Sequence, residues 1–132
     1  MFRLLLLIPF LSACAGSPYA ISNYGPENLA IVSDDRLCVA FYYRPNENLL
    51  NEIKRRNILT PRELSSVQKK SIFVGMSKTA LLCSWGEVPI YGSTHKRYSK
   101  YGESTQYVYQ KCSICNSTHV FVEKGKVTYI SS

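Results

Sequence analysis

The sequence predicts an α+β domain in which N-terminal helices pack on a three-stranded antiparallel β-sheet. Two observations predict it. Residues 33–85 carry apolar side chains at helical spacing between helix-capping residues. Residues 105–130 instead alternate apolar and polar side chains and are rich in β-branched and aromatic types. Helices first and strands after is the order of an α+β chain, not of a parallel βαβ array. The 132 residues suit one domain, and a 45% hydrophobic content is enough to build its core.

The first thirteen residues are expected to be a lipoprotein signal peptide. Met1-Phe2-Arg3 is a short basic start, residues 4–11 form an apolar run broken once by Pro9, and Leu11-Ser12-Ala13 leads to Cys14. A basic start, a short apolar stretch and small residues before a cleavage point mark export rather than a membrane span. The cysteine makes the pattern resemble the lipobox of bacterial lipoproteins. That resemblance implies a diacylglycerol on the Cys14 thiol, cleavage before it and palmitate-type acylation of the new amino group. Each buried CH₂ contributes ~0.8 kcal/mol, so two or three acyl chains anchor stably. By analogy with enterobacterial lipoprotein sorting, Ala15 in place of an aspartate favours the outer membrane, with the domain facing the periplasm. Residues 14–32, with Gly16, Ser17, Pro18, Gly25 and Pro26, are expected to be a lipidated tether, and residues 33–132 a single α+β domain.

Ser33-Asp34-Asp35 caps a first helix whose Leu37, Cys38, Phe41 and Tyr42 share a face, although 37–43 is also rich in strand formers. Asn46 caps a second helix. Glu47 in its first turn and Lys54, Arg55 and Arg56 in its last complement the macrodipole, and Asn57 is a left-handed stop. Thr60-Pro61-Arg62-Glu63 is a capping box with proline at the first helical position. Ser77 caps a short helix that carries Leu81 and Trp85 on one face and ends at Gly86. Residues 105–111, 118–123 and 126–130 are the expected strands, with Lys124-Gly125 turning between the last two.

Val74-Gly75-Met76-Ser77, Trp85-Gly86 with Pro89, Gln106-Tyr107-Val108-Tyr109, and 121–128 with its glycine turn resemble the small envelope lipoproteins of the SmpA/OmlA (BamE-like) type. The resemblance covers roughly residues 70–130. It implies two helices on a three-stranded antiparallel sheet, a shape shared with β-lactamase-inhibitor-like folds. It makes residues 70–132 the BamE-like core and residues 33–69 a helical extension.

Beyond Cys14 the chain has four cysteines, Cys38, Cys83, Cys112 and Cys115. An even number in an oxidising compartment suggests disulfides, and four cysteines allow three pairings. The preferred one joins Cys38 to Cys83 and Cys112 to Cys115. Cys112-x-x-Cys115 with His119 also has the spacing of a partial zinc site, with His95 or Cys83 as a fourth ligand, and of a thiol-redox motif. The disulfide is favoured because no second ligand pair is present and no helical pattern follows the motif. No metal or cofactor is expected.

The net charge is +7, and much of it lies in 54–70 and 91–111. His95, Lys96, Arg97, Tyr98, Lys100 and Tyr101 interleave basic and aromatic side chains, the most promising interaction surface on the chain. Such a pattern suits nucleic acid, but an envelope address excludes it in favour of anionic headgroups or the acidic face of a protein. No nucleophile elbow, phosphate loop or His-Glu-x-x-His is present, and no aspartate follows Asp35, so an enzyme is not expected. The expected function is a lipid-anchored, non-catalytic interaction or scaffold module in outer-membrane assembly or maintenance, with envelope proteins as partners. The rivals are an inhibitor or binding module for an envelope enzyme, and a zinc or thiol-redox protein.

Overall fold

The computed structural model describes residues 16–132. The expected signal peptide and Cys14 lie outside the described residues. Six helices precede a four-stranded antiparallel sheet: α1 (Pro18–Ser22), α2 (Pro26–Leu29), α3 (Asp34–Tyr43), α4 (Glu47–Arg56), α5 (Pro61–Gln68), α6 (Lys78–Trp85), then β1 (Ser93–Ser99), β2 (Gly102–Tyr109), β3 (Thr118–Glu123) and β4 (Lys126–Ser131). The α+β class is as expected. The sheet has one strand more than expected.

Five of the six helices begin where a side chain accepts a hydrogen bond from an otherwise unpaired N–H, α2 starting at Gly25 without one. Ser33, Asn46, Thr60 and Ser77 do this for α3, α4, α5 and α6. Asn57 closes α4 in the left-handed conformation, with φ 53° and ψ 40°. The strand-forming residues at the end of α3 stay helical because Leu37, Cys38 and Ala40 are fully buried by the neighbouring helices.

α6 sits at the centre. Its Cys83 belongs to a helical core with Leu37, Phe41, Leu49 and Ile53, while its Ala80 and Leu81 belong to a second core with Met76, Val120, Val122 and Val127 from the sheet side. A helix apolar on most of its faces is a buried helix. A disulfide between Cys38 and Cys83 fastens α3 to α6.

The stretch 16–32 departs from the expected tether. Ser17 caps α1, Ile21 and Leu29 are 1% and 0% exposed, and both sit in the helical core. Glycines and prolines there punctuate two very short helices rather than a flexible arm. Asn46 donates to the Ser22 carbonyl at 2.8 Å, and Arg56 donates to the Leu29 carbonyl at 2.8 Å.

The strands run in the order β1-β2-β3-β4. Thr105, Tyr107 and Tyr109 of β2 pair with Val122, Val120 and Thr118 of β3 and face α6. Val127 and Ile130 are three residues apart and in a regular strand would face opposite sides. A bulge at Thr128, where the register shifts between Phe121 and Val122, puts both on the inner face. Residues 75–78 close the outer edge of β4: Gly75 donates to the Val127 carbonyl, Val127 to Met76, and Lys78 to Gly125. The additional strand, β1, pairs with β2 from Ser93–Val108 to Ser99–Gly102. It lacks apolar alternation, so its sequence carries no strand signal. The free ladder edge of β2 makes the strand, a tertiary effect that overrides propensity.

Two buried carboxylates tie these elements together. Glu52 accepts from Arg55 at 2.6 Å and from Arg56 at 2.9 Å, and Arg56 continues to Asp34 at 2.8 Å. Glu63 completes the capping box on Thr60 and also accepts from the Ser77 N–H at 2.7 Å, so it joins the starts of α5 and α6. Hydrogen bonds from Arg55, then Arg56, hold the Glu52 carboxyl down at about 2. Burial alone would raise Glu63, but the N–H groups of Thr60 and Ser77 outweigh it and keep the carboxyl below the usual range. A depressed folded-state value gives stability that is present above the unfolded carboxylate range, ~4.3, and is lost as the pH falls towards the folded value. Stability measured by urea unfolding is therefore expected to fall between about pH 4.5 and 2. Glu52→Gln and Glu63→Gln should each flatten that dependence, and an unchanged slope in both would refute it.

Candidate functional site

The six residues expected to form an interaction surface all lie on β1 and its turn into β2. Period-two alternation divides them. Lys96 and Tyr98 lie on the side of Thr105 and Glu103, whereas His95 and Arg97 lie on the opposite face with Gln106 and Ser104. Lys100 and Tyr101 form the turn, with the Lys100 ammonium 5.0 Å from the Tyr101 ring centroid. Tyr98 and Tyr101 are 76% and 78% exposed. Lys96 stands 3.7 Å from Glu103, and the His95 ring is 3.0 Å from the Ser93 hydroxyl. The structure thus brings the six together in one hairpin but presents them on two faces. A bare edge strand invites pairing with another chain, and closely spaced charges on β1 oppose it. The same charges leave a positive, aromatic-tipped hairpin projecting from the domain.

The remaining expected site residues are the four cysteines and His119. Cys38 and Cys83 are buried, at 0% and 2% exposure. Cys112 and Cys115 pair with each other in the connection between β2 and β3, where the Cys115 N–H donates to the Cys112 carbonyl. A reactive Cys-x-x-Cys has its thiolate stabilised by a helix N-terminus. This turn runs into a strand instead. His119 lies on the outer face of β3, within 2.6 Å of the Gln106 amide and 3.3 Å of the Ser117 hydroxyl, so both ring nitrogens are engaged. Among the described residues no three His, Cys, Asp or Glu side chains cluster around a possible ion.

Two hollows were not visible in the sequence. The larger, about 650 Å³, is an open cleft between α1, α3, the start of α6 and strands β1 and β2. Asp35, Arg36, Lys78 and Glu87 are its charged lining residues. Asp35 accepts from Thr79 at 2.9 Å with Lys78 4.0 Å away, and Arg36 donates to the Gly16 carbonyl. Asp35 reads in the sequence only as a helix-start residue, and Gly16 and Ser17 only as tether. The smaller hollow, about 430 Å³, lies beneath Trp85, with Tyr42, Tyr109, Lys70 and Lys111 around it. Tyr109 lines both. Burial, then the neighbouring Tyr107, Tyr42 and Glu87, push its phenol well above the usual range, so it stays neutral and donates to the Gly86 carbonyl at 3.0 Å. These residues come from α3, α6, β2 and two connections. No linear motif joins them; the one signal in the sequence is the concentration of ten tyrosines and a single tryptophan.

No family model, curated protein or solved structure matches the chain.

Proposed function

We propose that the chain is a lipid-anchored protein of the bacterial cell envelope, a non-catalytic interaction or scaffold module on the periplasmic side of the outer membrane. One observation carries this reading. The four cysteines of the described residues pair with one another, so Cys14 stands apart as the fifth, at the end of a lipobox-like stretch. Disulfides belong to oxidising compartments, and a fifth cysteine after Leu11-Ser12-Ala13 suits lipid attachment. The β1–β2 hairpin is the surface this reading offers to an envelope partner, by Coulomb attraction to an acidic face. The resemblance to SmpA/OmlA-type lipoproteins adds outer-membrane assembly or maintenance as the setting.

Metabolic labelling with palmitate tests the anchor. The wild type is expected to take up label and to fractionate with outer membranes, and Cys14→Ala is expected to do neither. Equal labelling of the two would refute it. Charge reversal of Lys96 and Arg97 in the labelled protein should then release any copurifying envelope partner while leaving the anchor intact.

A further inference from the structure

The hollow beneath Trp85 combines two features that no structural role requires together. Its walls are aromatic. Trp85 and Tyr109 meet edge to face with ring centroids 5.2 Å apart, and Tyr42 closes a further side. The polar ends of two of these rings are already used. The Trp85 indole N–H donates to the Lys70 carbonyl at 3.0 Å, and the Tyr109 hydroxyl donates to Gly86. What remains for a visitor is apolar ring surface. The rim, by contrast, is cationic: Lys70 and Lys111 lie on it, and no carboxylate among the described residues lines the hollow. The Lys70 ammonium stands 5.4 Å from the Tyr42 ring centroid, next to the aromatic wall. Thr118 and Asn116 supply hydroxyl and amide groups beside it.

We propose that this hollow is a binding site for an anionic sugar, a pyranose bearing a phosphate or carboxylate. The ring's C–H face would lie on the aromatic wall, its hydroxyls would meet Asn116 and Thr118, and its anionic group would sit between Lys70 and Lys111. The alternatives fit fewer of the features. Inorganic phosphate uses the lysines and ignores the aromatic wall. A neutral sugar or a purely apolar ligand leaves two ammonium groups without a partner. A volume of about 430 Å³ is that of a small-molecule pocket rather than of a groove for a protein segment. The Cys112–Cys115 disulfide has a place in this site, since Cys115 lines the hollow and the bridge pins the short connection that carries Lys111 and Asn116. Such pinning reduces the ordering that a ligand must impose.

Trp85 is the chain's single tryptophan, so its emission reports on this hollow alone. The experiment titrates the folded chain with glucose 1-phosphate, glucose and inorganic phosphate, followed by Trp85 emission and in parallel by calorimetry. Glucose 1-phosphate is expected to give a saturable response that neither glucose nor phosphate gives at the same concentration. Lys111→Gln, on an exposed side chain and leaving the fold intact by circular dichroism, should weaken that binding at least tenfold. Lys126→Gln, on β4 outside the hollow, should not change it. An equal response to phosphate alone, an unaltered affinity in Lys111→Gln, or no saturable response by either method would overturn the proposal. None of these outcomes depends on the lipid anchor, so the two proposals stand or fall separately.

Discussion

Replacing Cys38 and Cys83 together by alanine is expected to lower the stability of the chain by about 4 kcal/mol. The bridge joins residues 45 positions apart and so closes a long loop in the unfolded chain. In the chain-entropy treatment a loop of that length accounts for about 4 kcal/mol, against about 2 kcal/mol or less for the three-residue separation of Cys112 and Cys115. The consequence is specific to the fold. Among the described residues α6 contributes buried side chains to both the helical core and the sheet core, and the disulfide fixes α6 to α3. Losing it should loosen both cores together. Urea unfolding followed by far-ultraviolet circular dichroism and by Trp85 emission should show the two signals shifting in parallel. Replacing Cys112 and Cys115 by serine should move the midpoint much less. Equal midpoint shifts for the two pairs would refute the assignment of the main constraint to Cys38–Cys83.

The parts of the fold visible in the sequence are those fixed by local chemistry. The helix starts at Ser33, Asn46, Thr60 and Ser77 were readable because a cap is a contact within three residues. β3, β4 and the turn at Lys124-Gly125 were readable because alternation and a left-handed turn are local too, and both turn residues do have positive φ, 50° and 73°. β1 was not, because His95-Lys96-Arg97-Tyr98 becomes a strand only through the ladder offered by β2. Residues 16–32 read as a tether in the sequence for a related reason. Ile21 and Leu29 are buried one at a time, on helices of five and four residues, too short to show a periodic pattern. The candidate sites divide in the same way. The basic, aromatic hairpin is contiguous in sequence and was visible there. The hollow beneath Trp85 draws its residues from positions between 42 and 118 on α3, α6, β2, β3 and their connections, and only the packing of these elements assembles it.

Gly86→Ala is the single substitution expected to damage that hollow most, at a cost of about 3 kcal/mol or more. Gly86 ends α6 with φ 70° and ψ −162°, a conformation that essentially only glycine adopts, and forcing another residue into it costs about 1–3 kcal/mol. A second penalty is steric. A Cβ at this position would lie 2.4 Å from the Tyr42 ring, inside any tolerable contact. Displacing a packed ring costs about another 1–3 kcal/mol. The same residue accepts the Tyr109 hydroxyl, so the backbone shift that relieves the clash also releases a buried phenol. Gly125→Ala separates the two contributions. Gly125 also has positive φ, 73°, but a Cβ there meets nothing within 4 Å, so only the backbone penalty of about 1–2 kcal/mol applies. A double-mutant cycle isolates the steric part. Tyr42→Ala removes the ring that the new methyl group would strike, so Gly86→Ala should cost less in that background than in the wild type by at least about 1 kcal/mol. Additive effects across the cycle would mean that Tyr42 does not press on Gly86. The aromatic wall of the hollow would then be looser than the contact between these two residues implies.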